Sequence, residues 1–220
     1  MKRIEVYENG ILMLFEVTEE RKIKLLHFSA SPFSDADISS WGKTEPFNVV
    51  EVQVSGLDRA GERHGTKYVR TSPGYRLVLK EFRDDRNAAG RKIEVETQDE
   101  ETGLVVTSHY QFYDGIAVVR AWTTLYNGGK EDLGIEYVSS FAITGIEKEG
   151  IRLPEDKLEL WIPHNGWQQE LHWNRYRLDE LGMSSTQPEA IRRTSKTIGI
   201  NNAGNWSTKE YIPMGYLYNE

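Results

Sequence analysis

The chain has 220 residues, of which 38% are hydrophobic and 11% aromatic, enough for a packed core and too aromatic for a disordered segment. Its formal charge of −7 argues against a nucleic-acid backbone or an anionic membrane as partner and leaves a neutral ligand as the better match. With no cysteine, a disulfide scaffold, a thiolate nucleophile and a cysteine-ligated zinc are all excluded.

The first stretch, "MKRIEVYENGILMLFEV", is interrupted by Glu5 and Glu8 and lacks a small-residue cleavage site, so it does not read as a signal peptide. Asn9-Gly10 separates two strand-like runs and predicts a hairpin, because both turn positions tolerate positive φ. The polar stretch "FSDADISSWGKTEPF" (33–47) places Asp35, Asp37 and Ser39 at alternate positions. A calcium loop would then need Gly where Ser40 stands and Glu where Pro46 stands, so a capped surface loop is expected instead. In "VVEVQVSG", Val50, Val52 and Val54 share one predicted strand face and Glu51 and Gln53 the other.

"DDRNAAG" (84–90) and "DEETG" (99–103) read as solvated polar loops on either side of "RKIEVETQ", where Ile93, Val95 and Thr97 alternate with Glu94 and Glu96. Asp114-Gly115 divides two further strands, and Asn127-Gly128-Gly129 ends the second. The meander from Tyr75 to Ile146 is the clearest part of the pattern. Helical periodicity is nearly absent; "QQELHWNRYRLDELG" allows one short helix with Gly182 as its stop, although its apolar residues form no single stripe. No apolar run approaches the ~20 residues that span a bilayer. The expectation is an all-β, soluble, cytoplasmic protein. A single domain over residues 1–220 is expected, a large antiparallel β-sandwich with at most one or two short helices.

Signatures of common catalytic sites are missing: there is no GxGxxG, P-loop, GxSxG or HExxH. His27, His64, His109, His164 and His172 have no local partner at metal-ligand spacing, so they are expected to hydrogen-bond singly, with no metal and no cofactor. The 34 Asp and Glu residues, spread over alternating strands, are expected mostly on solvated faces. Aromatic residues carry the remaining signal. Trp41, Trp161, Trp167, Trp173 and Trp206 lie in turn-rich or strand-edge contexts, where a π face can stack on the C–H face of a sugar ring. Trp122 and Trp161, flanked by aliphatic residues, are expected to fill the sandwich core.

Three stretches together resemble a known family: "GERHGTKYVRTSPGYRLVLKEFRDD" (61–85), "WIPHNGWQQE" (161–170) and the closing "NWSTKEYIPMGYLYNE" (205–220). They are similar to the N-terminal β-supersandwich domain of the family-36 glycoside hydrolases, the α-galactosidases. Members of that family are retaining hydrolases of terminal α-galactosides such as melibiose and raffinose. Their two catalytic aspartates lie in a (β/α)₈ barrel outside the sandwich. The resemblance therefore implies no catalytic residue in this chain, which alone is expected to be inactive. It implies α-galactoside sugars as ligands of the full-length enzyme and a homo-oligomer in which this domain packs on a neighbour and completes its substrate pocket. Trp41, in its long polar loop, is the candidate for touching substrate. His64, Trp161, His164, Trp167 and Trp173 are the candidates for the interface. Glu170 and His172 are not expected to form a catalytic pair. The alternative reading is a stand-alone carbohydrate-binding module using exposed Trp41, Trp167 or Trp173, and a third is a sandwich serving only subunit assembly.

Overall fold

A computed structural model describes residues 1–34, 48–57, 71–143, 157–183, 198–202, 206 and 208–219. They fall into two compact units, Met1–Ile146 and Glu147–Glu220. Regular secondary structure among the described residues is nearly all strand, with one 3-10 turn at Gly74–Arg76. Trp41 and His64 lie outside the described residues.

In the first unit, β1 (Lys2–Glu8), β2 (Ile11–Val17) and β3 (Ile23–Ser29) form an antiparallel three-stranded sheet with β2 in the middle. The β1–β2 turn is the expected Asn9-Gly10 hairpin, with φ of 49° and 80°, the pair of positive values that matches the twist of the flanking strands. Asn9 Nδ2 also donates to the carbonyl of Tyr113 at 2.7 Å, anchoring the turn. Two short strands, β4 (Val52–Val54) and β9 (Ile135–Val138), pair antiparallel. The third sheet is a four-stranded meander of β5 (Val78–Asn87), β6 (Gly90–Gln98), β7 (Leu104–Tyr113) and β8 (Ile116–Asn127), in the order in which they occur.

One buried cluster holds this unit together. It draws Val6, Met13, Phe15, Ile23 and Leu25 from the first sheet, Val52 and Val54 from β4, and Ile93, Val95, Val106, Tyr110 and Phe112 from the meander. Along β6 the buried residues are Ile93, Val95 and Thr97 while Glu94 and Glu96 point the other way, as the alternation predicted. Burying one face of each sheet against the others is what makes a sandwich.

The structure corrects three expectations here. Glu51 and Gln53 are not on a solvated face: both are buried, and β4 is covered on both sides. The buried carboxylate is satisfied instead by Thr71, whose backbone N–H (2.9 Å) and hydroxyl (2.8 Å) both donate to Glu51 Oε2. "DDRNAAG" is mostly strand, since β5 runs to Asn87 and only Ala88-Ala89 turn; the Asn87 side chain closes that turn by accepting from the Ala89 and Gly90 amides. "DEETG" is a turn, but Asp99 in it is buried rather than solvated, because Arg76 reaches it with two hydrogen bonds.

In the second unit, β10 (Leu158–Gly166) is flanked by β11 (Gln169–Arg177) and β12 (Tyr216–Asn219) in an antiparallel three-stranded sheet. The stretch allowed as a short helix is thus strand β11, followed by a turn that Gly182 closes with φ of 70°. The reason is pairing: a tight connection at Trp167-Gln168, with Gln168 at φ 57°, folds β11 back along β10 from Gln169 to Arg177. Without an apolar stripe to bury, a helix there had nothing to offset that ladder.

Candidate functional site

Cross-strand partners point to the same side of a sheet, so the registers of β10 assign its two faces. Glu159 pairs with Arg177 and Tyr218, Trp161 with Arg175 and Tyr216, and Pro163 with Trp173. One face therefore carries Trp161, Trp173, Tyr216 and Tyr218 with Glu159, Arg175 and Arg177. The other carries Leu158, Leu160, Ile162, His164, Tyr176 and Leu217.

The aromatic face is ordered by ring contacts. Trp161 stacks on Tyr216 with centroids 5.4 Å apart and planes 13° from parallel. Trp173 leans on the same tyrosine across β10, at 5.4 Å and 49°. Trp161 Nε1–H donates to Glu159 Oε2 at 3.3 Å, and the other oxygen of that carboxylate lies 3.4 Å from Arg175 Nη1. Trp161 is thus half-buried in a surface strip and not in a core, a correction to the expectation drawn from its aliphatic neighbours. Those neighbours, Leu160 and Ile162, belong to the opposite face.

The other candidates are separated from this strip. His164 sits on the opposite face, its Nε2 2.7 Å from the Tyr176 hydroxyl and its ring 5.0 Å from that of Tyr211. Trp167, 78% exposed, is at the hairpin tip, where its ring meets Trp206 edge-on at 6.1 Å. Glu170 and His172 are both exposed on β11. Sequence reasoning singled out Trp161 and Trp173 but missed Tyr216, Glu159 and Arg175. The "YLY" alternation at 216–218 was the available signal, but the register that brings it beside Trp161 is a long-range pairing.

A second polar cluster lies in the first unit, on the outer face of the meander. Glu94 accepts from Lys92 (2.7 Å) and from Arg83 Nε (3.1 Å), and lies 2.8 Å from His109 Nδ1. His109 Nε2 is 2.9 Å from the Thr124 hydroxyl, and its ring stacks on Trp122 at 4.7 Å and 8°. Trp122 is therefore half-buried on the sheet surface, with Lys92 and Arg120 also near its ring, and not in the core as expected. His109 is buried among Glu94, Thr124 and Trp122, so its ring is closed to a substrate and the cluster is structural. Among the described residues no group of three His, Asp or Glu is placed to hold a metal ion.

This cluster makes stability pH-dependent. Hydrogen bonds from Lys92, then Arg83, outweigh burial and lower Glu94 from the ordinary 4.5 to about 2. Burial, then the Lys92 charge, lowers His109 as well. A group depressed in the folded state contributes stability above its unfolded value that is lost as pH falls through the folded one. Glu94→Gln should therefore flatten the fall in urea midpoint between about pH 4.5 and 2. A variant curve parallel to wild type across that window would contradict the assignment.

No protein-family model matches the sequence, and no curated protein matches it. Solved structures do match in fold. The GH36 α-galactosidase AgaA of Geobacillus stearothermophilus superposes with a TM-score of 0.55 at 12% identity, over 80% of this chain and 28% of that one. AgaB of the same organism gives 0.54 at 14% identity, over 80% and 27%. A variant of AgaA in complex with raffinose gives 0.53 at 13% identity, again over 80% and 28%. This chain spans little more than a quarter of the length of those enzymes. The described residues thus have the all-β fold of a quarter-length portion of the GH36 α-galactosidases.

Proposed function

We propose that residues 1–220 act as one non-catalytic sandwich domain, the N-terminal part of an α-galactosidase, which supports oligomerisation and completes a substrate pocket. The observation that carries this reading is the fold match over 80% of the chain to enzymes several times longer. One matching structure holds raffinose, which makes terminal α-galactosides the substrate class of the parent enzyme in this reading. Catalysis would lie in a barrel elsewhere in that enzyme. Trp41 would be lent to a neighbouring subunit's sugar, while His64, Trp161, His164, Trp167 and Trp173 would take part in subunit contacts in a cytoplasmic homo-oligomer.

The experiment is hydrolysis of raffinose and melibiose by the natural polypeptide containing this sequence, beside the 220-residue chain. Galactose release by the former and none by the latter is the expected result; no release by either would overturn the reading. In an active parent enzyme, Trp41→Ala should raise KM for raffinose up to about tenfold, the equivalent of one lost stacking contact of about 1.4 kcal/mol. Unchanged raffinose kinetics would remove Trp41 from the pocket.

A further inference from the structure

We propose that the aromatic face of the β11–β10–β12 sheet is itself a sugar-binding platform, taking one pyranose ring of a galactoside on Tyr216 and Trp173 and holding its hydroxyls with Arg175 and Glu159. The choice of a galactoside as ligand rests on the α-galactosidase reading, whereas the platform itself concerns this chain's own surface, needs no catalytic partner and takes the place of the subunit contact given above for Trp161 and Trp173.

Four observations favour a sugar over other occupants. The rings are held in place before any ligand arrives: Trp161 is held beside Tyr216 by stacking and by its bond to Glu159, and Trp173 leans in from the opposite edge strand. The three-ring strip still reaches water, with Tyr216 47% and Trp173 37% exposed. A galactopyranose presents C–H groups from C3, C4 and C5 on one side, an apolar patch about the size of one or two such rings.

Polar groups stand at the rim. Arg175, whose side chain is 61% exposed, has guanidinium N–H groups beyond its contact with Glu159, and the planar fork suits two adjacent hydroxyls. Glu159 accepts, and the Tyr218 hydroxyl lies on the same face.

Charge is the third point. Glu159 lies beside Arg175, and Arg177 is bonded to Asp179, so the charges on this face balance. A neutral polyhydroxyl ligand matches that balance; a polyanion or a polybasic peptide does not.

The fourth point is composition. The cross-strand pairs of this face bring rings together, whereas the aliphatic Leu158, Leu160, Ile162 and Leu217 occupy the opposite face. Flat ring faces flanked by a carboxylate and a guanidinium offer the C–H stacking and hydroxyl contacts that a pyranose needs.

The test uses the 220-residue chain. Methyl α-galactopyranoside and raffinose are titrated against it, with tryptophan fluorescence and ligand-observed saturation-transfer NMR as readouts and acyclic mannitol as control. An open, one-ring platform predicts saturable binding with a Kd on the order of 1 mM, saturation transfer strongest at the C3, C4 and C5 protons, and no response to mannitol. Tyr216→Ala should weaken binding at least tenfold. Leu217→Ala, on the opposite face of β12, should leave it unchanged, and shows that this edge strand tolerates truncation of a side chain. Arg175→Lys keeps the charge but loses the fork, and should weaken binding about threefold to tenfold.

Absence of saturable binding would overturn the proposal. So would an equal response to mannitol, or binding that survives Tyr216→Ala. Concentration-dependent self-association abolished by Tyr216→Ala would assign the face to a second copy of the chain and overturn it too. None of these outcomes bears on whether the parent polypeptide hydrolyses raffinose, so the two readings fail separately.

Discussion

Phe15→Ala should lower the unfolding free energy of the first unit by about 3–5 kcal/mol, as expected for truncating a fully buried aromatic. Phe15 is 0% exposed at the centre of β2, the middle strand of its sheet. Its ring meets two others edge-on, Phe82 of β5 at 5.4 Å and Tyr110 of β7 at 5.6 Å. Those partners belong to the meander, so this side chain joins two sheets across the core. Edge-on pairs contribute about 0.5–1.5 kcal/mol each beyond the area they bury, and close packing on both sides prevents the cavity from collapsing. Phe15→Leu keeps most of the volume but loses the ring contacts, and should cost about 1–1.5 kcal/mol. Native-state hydrogen exchange at the amides of Val95 and Val106 reads the first unit by itself. Protection there should fall in the same order, and a loss under about 1 kcal/mol for the alanine variant would mean that the sheets do not meet at Phe15.

The sequence was most informative where one face of a strand is buried and the other wet. β6 shows this: Ile93, Val95 and Thr97 go in, Glu94 and Glu96 go out, and period two is visible to the eye. The β1–β2 hairpin was equally plain, because Asn-Gly is chosen by backbone geometry that depends only on the two residues themselves. Legibility fails where both faces share one environment. β4 and the preceding Glu51 are buried throughout, so the outward side expected for Glu51 and Gln53 does not exist. β11 is exposed at all but Tyr176, so no apolar period marked it as strand and a helix remained open. Trp122 and Trp161 show a third limit. Aliphatic neighbours in sequence lie on the opposite face of a strand, so they say little about the tryptophan itself. The candidate site was half legible for a related reason: Trp161 and Trp173 belong to one hairpin, whereas Tyr216, which touches both rings, arrives through the β10–β12 register. Aromatic spacing can nominate a surface, but only pairing between distant strands assembles it.

Asp99 is the extreme case, because its partner Arg76 lies 23 residues away in sequence. The side chain is 1% exposed, and its two oxygens accept from Arg76 Nε at 2.9 Å and Nη2 at 2.8 Å. The second oxygen also accepts from Thr102, at 3.2 Å from the backbone N–H and 2.6 Å from the hydroxyl. Burial alone would raise Asp99, but the hydrogen bonds from Arg76 and Thr102 outweigh it and hold the carboxyl below its ordinary value. Arg76→Ala leaves that buried carboxylate without its fork, and should cost about 3 kcal/mol at pH 7. This is the low end for breaking a buried pair, because the arginine is itself 20% exposed and water can follow it out. The sign with pH follows from the depressed value: the stabilisation is complete above the ordinary carboxylate range and disappears as pH falls through the folded value. The gap between wild type and Arg76→Ala should therefore narrow at acid pH, where the stranded group becomes a neutral acid. Asp99→Asn removes the charge but keeps an acceptor for Thr102. Adding Arg76→Ala to it should cost less than Arg76→Ala costs in the wild type, and that difference measures the coupling. Equal costs in both backgrounds, or a gap unchanged between pH 7 and acid, would mean that Arg76 acts through packing and not through the carboxylate.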